Sequence, residues 1–226
     1  MQAVILAAGK GLRLRPLTDT IPKALVDICG QPLIFHILTS LPDDVTEIFI
    51  VVGYLKEQIM QMVGDAWNEK PVQYILQDPL DGTGSALHLV KNDLHGKFLV
   101  VNGDDLYDKK DLECLVVHDH ALLVSATKNP VAASALEDRD GNFIGLESYA
   151  PDQEVKLRVC GAYILDERYF RYTLATVNVH NKIEYSLPHT IVEMTADLKI
   201  KIEHADNWQP VGTHEELSKI RMNCLQ

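Results

Sequence analysis

Residues 9–23, Gly-Lys-Gly-Leu-Arg-Leu-Arg-Pro-Leu-Thr-Asp-Thr-Ile-Pro-Lys, gather four basic side chains, Lys10, Arg13, Arg15 and Lys23, against the single acid Asp19. The segment carries a net +3 inside a chain of formal net charge −11. It follows directly on an apolar run, Ala3 to Ala8, that reads as a buried strand. Cations collected past the carboxyl end of a strand are the setting of an anion site. Glycine lets backbone N–H groups come close to phosphate, and guanidinium offers its oxygens a planar fork. Pro16 and Pro22 stiffen the loop. A P-loop would need Lys and Ser or Thr after its second glycine, and Gly11 is followed by Leu12. The dinucleotide fingerprint GxGxxG is met at Gly9 and Gly11 but finds Leu14 at its third glycine. The bland alternative, a solvated surface loop, is disfavoured by the local excess of one charge.

Further along, Asp104 and Asp105 follow the apolar run of "KFLVVNGDD", and two acids at a strand's carboxyl end suit a hard cation. An acidic turn is the plainer reading of the same pair. In "LQDPLDGTGSAL", the Gly82-Thr83 turn reads either as a loop capping a helix from Ser85 or as a ligand contact. His118 and His120 in "HDH" mark a polar helix end more readily than a metal site. Neither an HExxH motif nor a Gly-x-Ser-x-Gly elbow is present.

The elements that must hold these residues alternate. Strands read at "AVILAA", "EIFIVVGY", "VQYILQ", "KFLVVN" and "HALLVSAT". Between them lie helical patterns at "QPLIFHILTSL", "LKEQIMQMVGDAW", Ser85 to Lys91 and Leu112 to His118. Strand–helix alternation predicts a mainly parallel sheet covered on both faces. After about residue 130, "SALEDRDGNFIGLES" reads as a hairpin turning at Asp140-Gly141, followed by a strand "LRVCGAYIL". Two helical stretches, a strand "LKIKIEH" and a helix from His214 complete the pattern. With 226 residues and no linker or repeat, one domain is expected over 1–226, with a parallel, nucleotide-type half to about 128 and a mixed half from about 129.

Hydrophobic residues make up 46% and charged residues 23%, an ordinary soluble composition. The acidic balance speaks against nucleic acid and anionic membranes as partners, both of which need a basic surface. The four cysteines, Cys29, Cys114, Cys160 and Cys224, form no CxxC pair and are expected to be reduced thiols in a cytoplasmic protein. No signal core or transmembrane stretch is expected. Oligomeric state is left open.

Taken together, "LAAGKGLRLRPLTDTIPKAL…GQPLI" resembles the signature of the sugar-nucleotidyltransferases, AAGxGxRxxPLT…PKxL…GxPLI. The resemblance implies an α/β fold: a Rossmann-like three-layer sandwich with a mainly parallel mixed sheet, the nucleotide-diphospho-sugar transferase fold. It implies transfer of a nucleotidyl group from an NTP to a sugar 1-phosphate with loss of pyrophosphate and with Mg2+ as cofactor. Backbone groups of Leu6, Ala7, Ala8, Gly9 and Gly11 would hold nucleoside and phosphates. Arg13 would hold pyrophosphate, Lys23 would bridge the reacting phosphates, and Asp104 would bind the metal, with Asp105 as a helper. Gln77, Gly82 and Thr83 match the family's base-recognising loop, and the glutamine favours a pyrimidine, UTP or dTTP. Asn102, Glu147, Gly161 and Glu184 fall at acceptor positions, with the family's aromatic kept at Tyr163.

Several positions depart from the family pattern. The lysine expected after Glu147 is Ser148, followed by Tyr149, and a family glycine falls at Ala133. An acid expected after Glu184 is His189. The second metal-binding Asp is Pro210, and Asp206, four residues earlier on an extended chain, is roughly 13 Å away. These departures keep two alternatives in view: a cytidylyltransferase acting on phosphocholine or another non-sugar phosphate, and a non-catalytic regulatory homologue that binds nucleotide-sugar.

Overall fold

A computed structural model of the chain describes residues 1–128, 133–148, 155–179 and 181–224. The chain begins with β1 (Gln2–Leu6), a loop of three single-turn 3-10 segments, the short strands β2 (Asp27–Ile28) and β3 (Gln31–Pro32), and α1 (Leu33–Ser40). It continues through β4 (Glu47–Val52), α2 (Lys56–Val63), β5 (Ala66–Trp67), β6 (Lys70–Leu76) and α3 (Thr83–His88). Then come β7 (Lys97–Asn102), β8 (Asp105–Leu106), α4 (Lys109–Val116) and β9 (Ala121–Thr127). The later part holds β10 (Ala133–Glu137), β11 (Phe143–Ser148), β12 (Lys156–Asp166), β13 (Thr176–Val179) and β14 (Lys182–Tyr185). It ends with α5 (Leu187–Met194), β15 (Lys201–His204), β16 (Gln209–Pro210) and α6 (His214–Asn223).

One sheet organises these elements in the order β15-β9-β12-β7-β1-β4-β6-β5. The pairs β7·β1, β1·β4, β4·β6 and β15·β9 are parallel, while β12 runs antiparallel to both its neighbours. The unbroken apolar spelling of the inner strands follows from burial on both faces. Ala3 and Ile5 of β1 join Ile48, Ile50, Leu99 and Val101 in a core layer under α1, α4 and α6. Val4 and Leu6 point the other way, joining Phe49, Val51, Phe98 and Val100 under α3 and α5. Successive side chains of a strand alternate faces, so each of these runs feeds two cores at once.

The ladder continues beyond the strand ends. Ala7 N–H donates to Val51 O and Gly103 N–H to Leu6 O, each at 2.8 Å. This fixes the loops after β1, β4 and β7 side by side at the carboxyl edge of the sheet. A Cβ on Gly103 would lie 2.7 Å from the Ala7 Cβ and 2.9 Å from Leu6 O, so the close approach requires glycine there.

The expected elements are present, with four differences. The "LKEQIMQMVGDAW" helix stops at Gly64, and Ala66–Trp67 pairs with β6 instead. Of the two helical stretches expected before "LKIKIEH", the first is a 3-10 segment, Glu167–Arg171, and the second is α5. The hairpin β13–β14, between them, has no counterpart in the sequence reading: its strands are only four residues each, too short for their alternation to stand out from the helical stretches on either side. Cys29 and Cys224 are joined in a disulfide, so the reading of four reduced thiols is corrected: Cys114 and Cys160 are the free ones. A separation of 195 residues hides such a pair from any spacing motif. Among the described residues no helix is long and apolar enough to cross a membrane.

Gly103→Ala is expected to overpack the strand ends by about 1–3 kcal/mol. At roughly 2–4 °C per kcal/mol for a chain of this size, the loss is readable by calorimetry. Peptide mass spectrometry without reduction should recover Cys29 linked to Cys224; separate alkylated peptides for both would contradict the pairing.

Candidate active site

The carboxyl edge of the sheet opens into a cleft of about 1420 Å³. Leu6, Ala7, Ala8, Gly9, Gly11, Arg13 and Lys23 form one wall, and Gln77, Gly82 and Thr83 border it. Asn102 and Asp104 lie at its floor, at the end of β7. Gly161, Tyr163 and Glu184 face it from the later half of the chain. Apart from Glu147, every residue singled out in the sequence as catalytic, nucleotide-binding or acceptor-binding therefore borders one space. Glu147 lies on β11 opposite Ser134 and is not among the residues lining the cleft. The side chain of Ser148 and residue Tyr149 lie outside the described residues.

Lys23 is nearly buried, and its Nζ donates to Asp104 Oδ2 at 2.7 Å. This contact joins the loop after β1 to the turn after β7. Asp104 keeps a side-chain exposure of 41%, so a carboxylate edge remains open to the cleft. Asp105 does not. Burial, with the neighbouring charge of Asp104, pushes its carboxyl well above the usual range, while Lys23, Arg158 and the Val211 N–H that it accepts pull the other way. Asp105 thus serves the packing between β8 and β16, where Pro210 lies directly opposite it. Asp206 lies in an exposed bend after β15, does not line the cleft, and its backbone N–H donates to Asp111 Oδ1 at 3.1 Å.

Arg13 reaches across the start of α6. A Cβ on Gly212 would sit 2.9 Å from Arg13 Nη2. Gln77 is buried, and its Nε2 donates to Gly82 O at 2.9 Å and to Asp81 Oδ1 at 3.3 Å. The amide oxygen is left as the end available to a ligand. The Gly82-Thr83 turn is both a helix start and a joint. Gly82 (φ +116°) abuts the Tyr185 backbone so closely that a Cβ would overlap its carbonyl oxygen. Thr83 Oγ1 accepts from Leu187 N–H at 3.1 Å. Gly161 has φ +71° at an irregularity of β12, and the Asn102 side chain fills the place where its Cβ would be. Tyr107 Oη donates to Cys160 O at 3.0 Å, with Gly161 O at 3.3 Å, and so pins that irregular stretch.

Sequence reasoning missed one cation. Val177, Val179, Lys182 and Glu184 occupy one face of the hairpin β13–β14, because opposed and alternate residues of paired strands share a face. All four line the cleft. Among the described residues, Lys182 is the one basic side chain that the later half contributes; Lys10, Arg13, Arg15, Lys23 and Lys56 come from the first 56 residues. Its signal in sequence is a lone lysine two residues before Glu184, which no spacing rule distinguishes from a solvated one.

A magnesium ion fits this donor set in one way. Among the described residues there is no group of three or more His, Cys, Asp or Glu side chains placed to hold a metal. Pro210 offers no donor. Asp104 keeps an open carboxylate edge at the end of β7, and magnesium is commonly held by one or two carboxylates together with substrate phosphates.

A family model described as nucleotidyl transferase matches residues 2–132. The bifunctional protein GlmU of Methanocaldococcus jannaschii is 33% identical over 214 residues, 94% of this chain and 51% of that one. The UTP–glucose-1-phosphate uridylyltransferase AglF of Haloferax volcanii is 39% identical over 109 residues, 48% of this chain and 45% of that one. The chain spans about half the length of the curated relatives it matches. Among solved structures, a glucose-1-phosphate thymidylyltransferase from Bacillus anthracis superposes with a TM-score of 0.84 at 21% identity, covering 99% of this chain and 95% of that one. The CTP:phosphocholine cytidylyltransferase LicC of Streptococcus pneumoniae superposes with a TM-score of 0.77 at 20% identity, covering 100% and 99%. These likenesses identify the fold as that of the nucleotide-diphospho-sugar transferases.

Tyr107→Phe removes the hydroxyl that pins β12 beside Asn102 and leaves a buried carbonyl without its donor. The expected cost is about 1–3 kcal/mol in urea denaturation.

Proposed function

The chain belongs to the nucleotidyl transferase family, and from that premise we propose that it joins an NTP to a sugar 1-phosphate, releasing pyrophosphate. The observation that carries the reading is the convergence of Arg13, Lys23 and Asp104 on one cleft, with the Lys23–Asp104 contact at 2.7 Å. The names of GlmU, AglF and the thymidylyltransferase point to the same class of acceptor.

An oxygen of the acceptor phosphate attacks the α-phosphorus of the NTP. The new P–O bond forms as the bridging α–β P–O bond breaks, and pyrophosphate leaves with the electron pair. The attacking oxygen is already ionised near neutral pH, so no side-chain base is required. The obstacle is electrostatic, because two polyanions must meet and charge builds on the leaving group. Lys23 is placed to leave Asp104 for the α-phosphate and the incoming phosphate. Arg13, near Gly212, takes the pyrophosphate. Lys182, the cation of the later half, takes the acceptor's phosphate in the absence of a lysine at Ser148. Magnesium, when bound, would be held by Asp104 and phosphate oxygens and would supply further neutralisation of charge.

Base preference follows from Gln77. Its Nε2 is committed to Gly82 and Asp81, which leaves an acceptor for the ligand. An acceptor suits the N3–H of uracil or thymine, whereas cytosine carries a lone pair at that position. UTP or dTTP is therefore the favoured nucleotide.

A panel of NTPs with sugar 1-phosphates and magnesium should release pyrophosphate, fastest with UTP or dTTP, and chelation of the metal should stop it. CTP with phosphocholine belongs in the same panel. Release from that pair alone would replace the sugar reading by the cytidylyl one, and nucleotide-sugar binding with no release from any pair would make the protein a sensor. Arg13→Ala should lower kcat/KM by about 10²–10³-fold with the thermal midpoint unchanged.

A further inference from the structure

We infer that Glu216, the third residue of the C-terminal helix α6, is a positioning residue for Arg13. The inference rests on the reading of Arg13 as the group that takes pyrophosphate. Arg13 Nη2 and Glu216 Oε2 converge on one point: a Cβ on Gly212 would lie 2.9 Å from the first and 3.0 Å from the second. Gly212, having no side chain, admits both. Oε2 also accepts the Gly212 N–H at 2.8 Å, and Oε1 lies 3.7 Å from Arg158 Nη1. Arg158 in turn lies over the Trp208 ring at 4.9 Å. The carboxylate is therefore held in place by groups other than Arg13.

Among the described residues Arg13 has no ion pair of its own. The negative charge beside it restrains the guanidinium without occupying its hydrogen-bonding edges, which stay available to an anion. The platform is rigid. Thr213 caps α6 by accepting from Glu216 N–H at 3.2 Å. His214 Nε2 donates to Arg15 O at 2.8 Å, tying the helix start to the loop that carries Arg13. At the far end Arg221 Nη2 donates to Asp27 O at 2.8 Å, and Cys224 is bonded to Cys29. A helix fixed at both ends to the N-terminal loop region carries the charge that aims its arginine. A flexible arginine so restrained meets the leaving group already in position, which is a contribution to rate through orientation.

Glu216→Gln separates this role from a structural one, because the amide oxygen can still accept the Gly212 N–H while the charge is lost. The assay is pyrophosphorolysis of the nucleotide-sugar that the wild-type protein makes, together with calorimetric titration of pyrophosphate plus magnesium. Glu216→Gln should raise the pyrophosphate KM and Kd about tenfold. The nucleotide-sugar KM should stay within about twofold, and the thermal midpoint within about 2 °C. In an Arg13→Ala background the same change should have no further effect, since no cation is left for the carboxylate to restrain. An unchanged pyrophosphate KM, a full effect in the Arg13→Ala background, or a parallel rise of both KM values with a fall in thermal midpoint would each overturn the inference. A wild-type protein that neither binds nor uses pyrophosphate would instead refute the reading of Arg13 on which it rests.

Discussion

The contact between the Lys23 ammonium and the Asp104 carboxylate, 2.7 Å across the carboxyl edge of the sheet, is the constraint from which the rest of the site follows. It places a nearly buried cation against a half-exposed anion whose residues are 81 apart in sequence. Without substrate the two neutralise each other. Because Asp104 is open to solvent, the pair is worth less than a fully buried one and can be exchanged for other partners. The cleft therefore presents no bare positive wall at this point.

Three joints in which a glycine admits a neighbour hold that contact and its surroundings in register. Gly103 lets the turn after β7 close on Ala7, Gly161 leaves room for the Asn102 side chain, and Gly82 lies against the backbone of Tyr185. The first joint aligns the strand ends, and the other two bring later segments of the chain onto the cleft-lining loops. A missing Cβ at each position converts backbone proximity into fixed geometry, and interiors packed at native density transmit such constraints with little give.

Charge is distributed on the same plan. The chain is strongly acidic, yet the cleft borders gather Lys10, Arg13, Arg15, Lys23 and Lys56 on the side of the first strands and Lys182 on the hairpin arm. A local positive field in an acidic protein draws small anions to one place while the remaining surface repels them. Pro210, where the family pattern has an acid, pairs with Asp105 as backbone alone and adds no carboxylate beside Asp104.

How much of this was legible in the sequence depended on range. The strands β1, β4, β7 and β9 could be read because burial on both faces makes a continuous apolar run, a local property. The loop of residues 9–23 declared itself by charge and glycine spacing within fifteen residues, and Asp104 by its place directly after a strand. The antiparallel course of β12, the hairpin that carries Lys182, the seat of Glu216 beside Arg13, the position of Glu147 away from the cleft and the Cys29–Cys224 bond could not be read. Each depends on which distant segments pair, and pairing is settled by the packing of two cores and the closure of long loops rather than by residue type. Residue types and local spacing name the cationic and anionic groups around the loop after β1, whereas which of them face one another is set by the folded chain, because facing is a property of contacts between segments far apart in sequence.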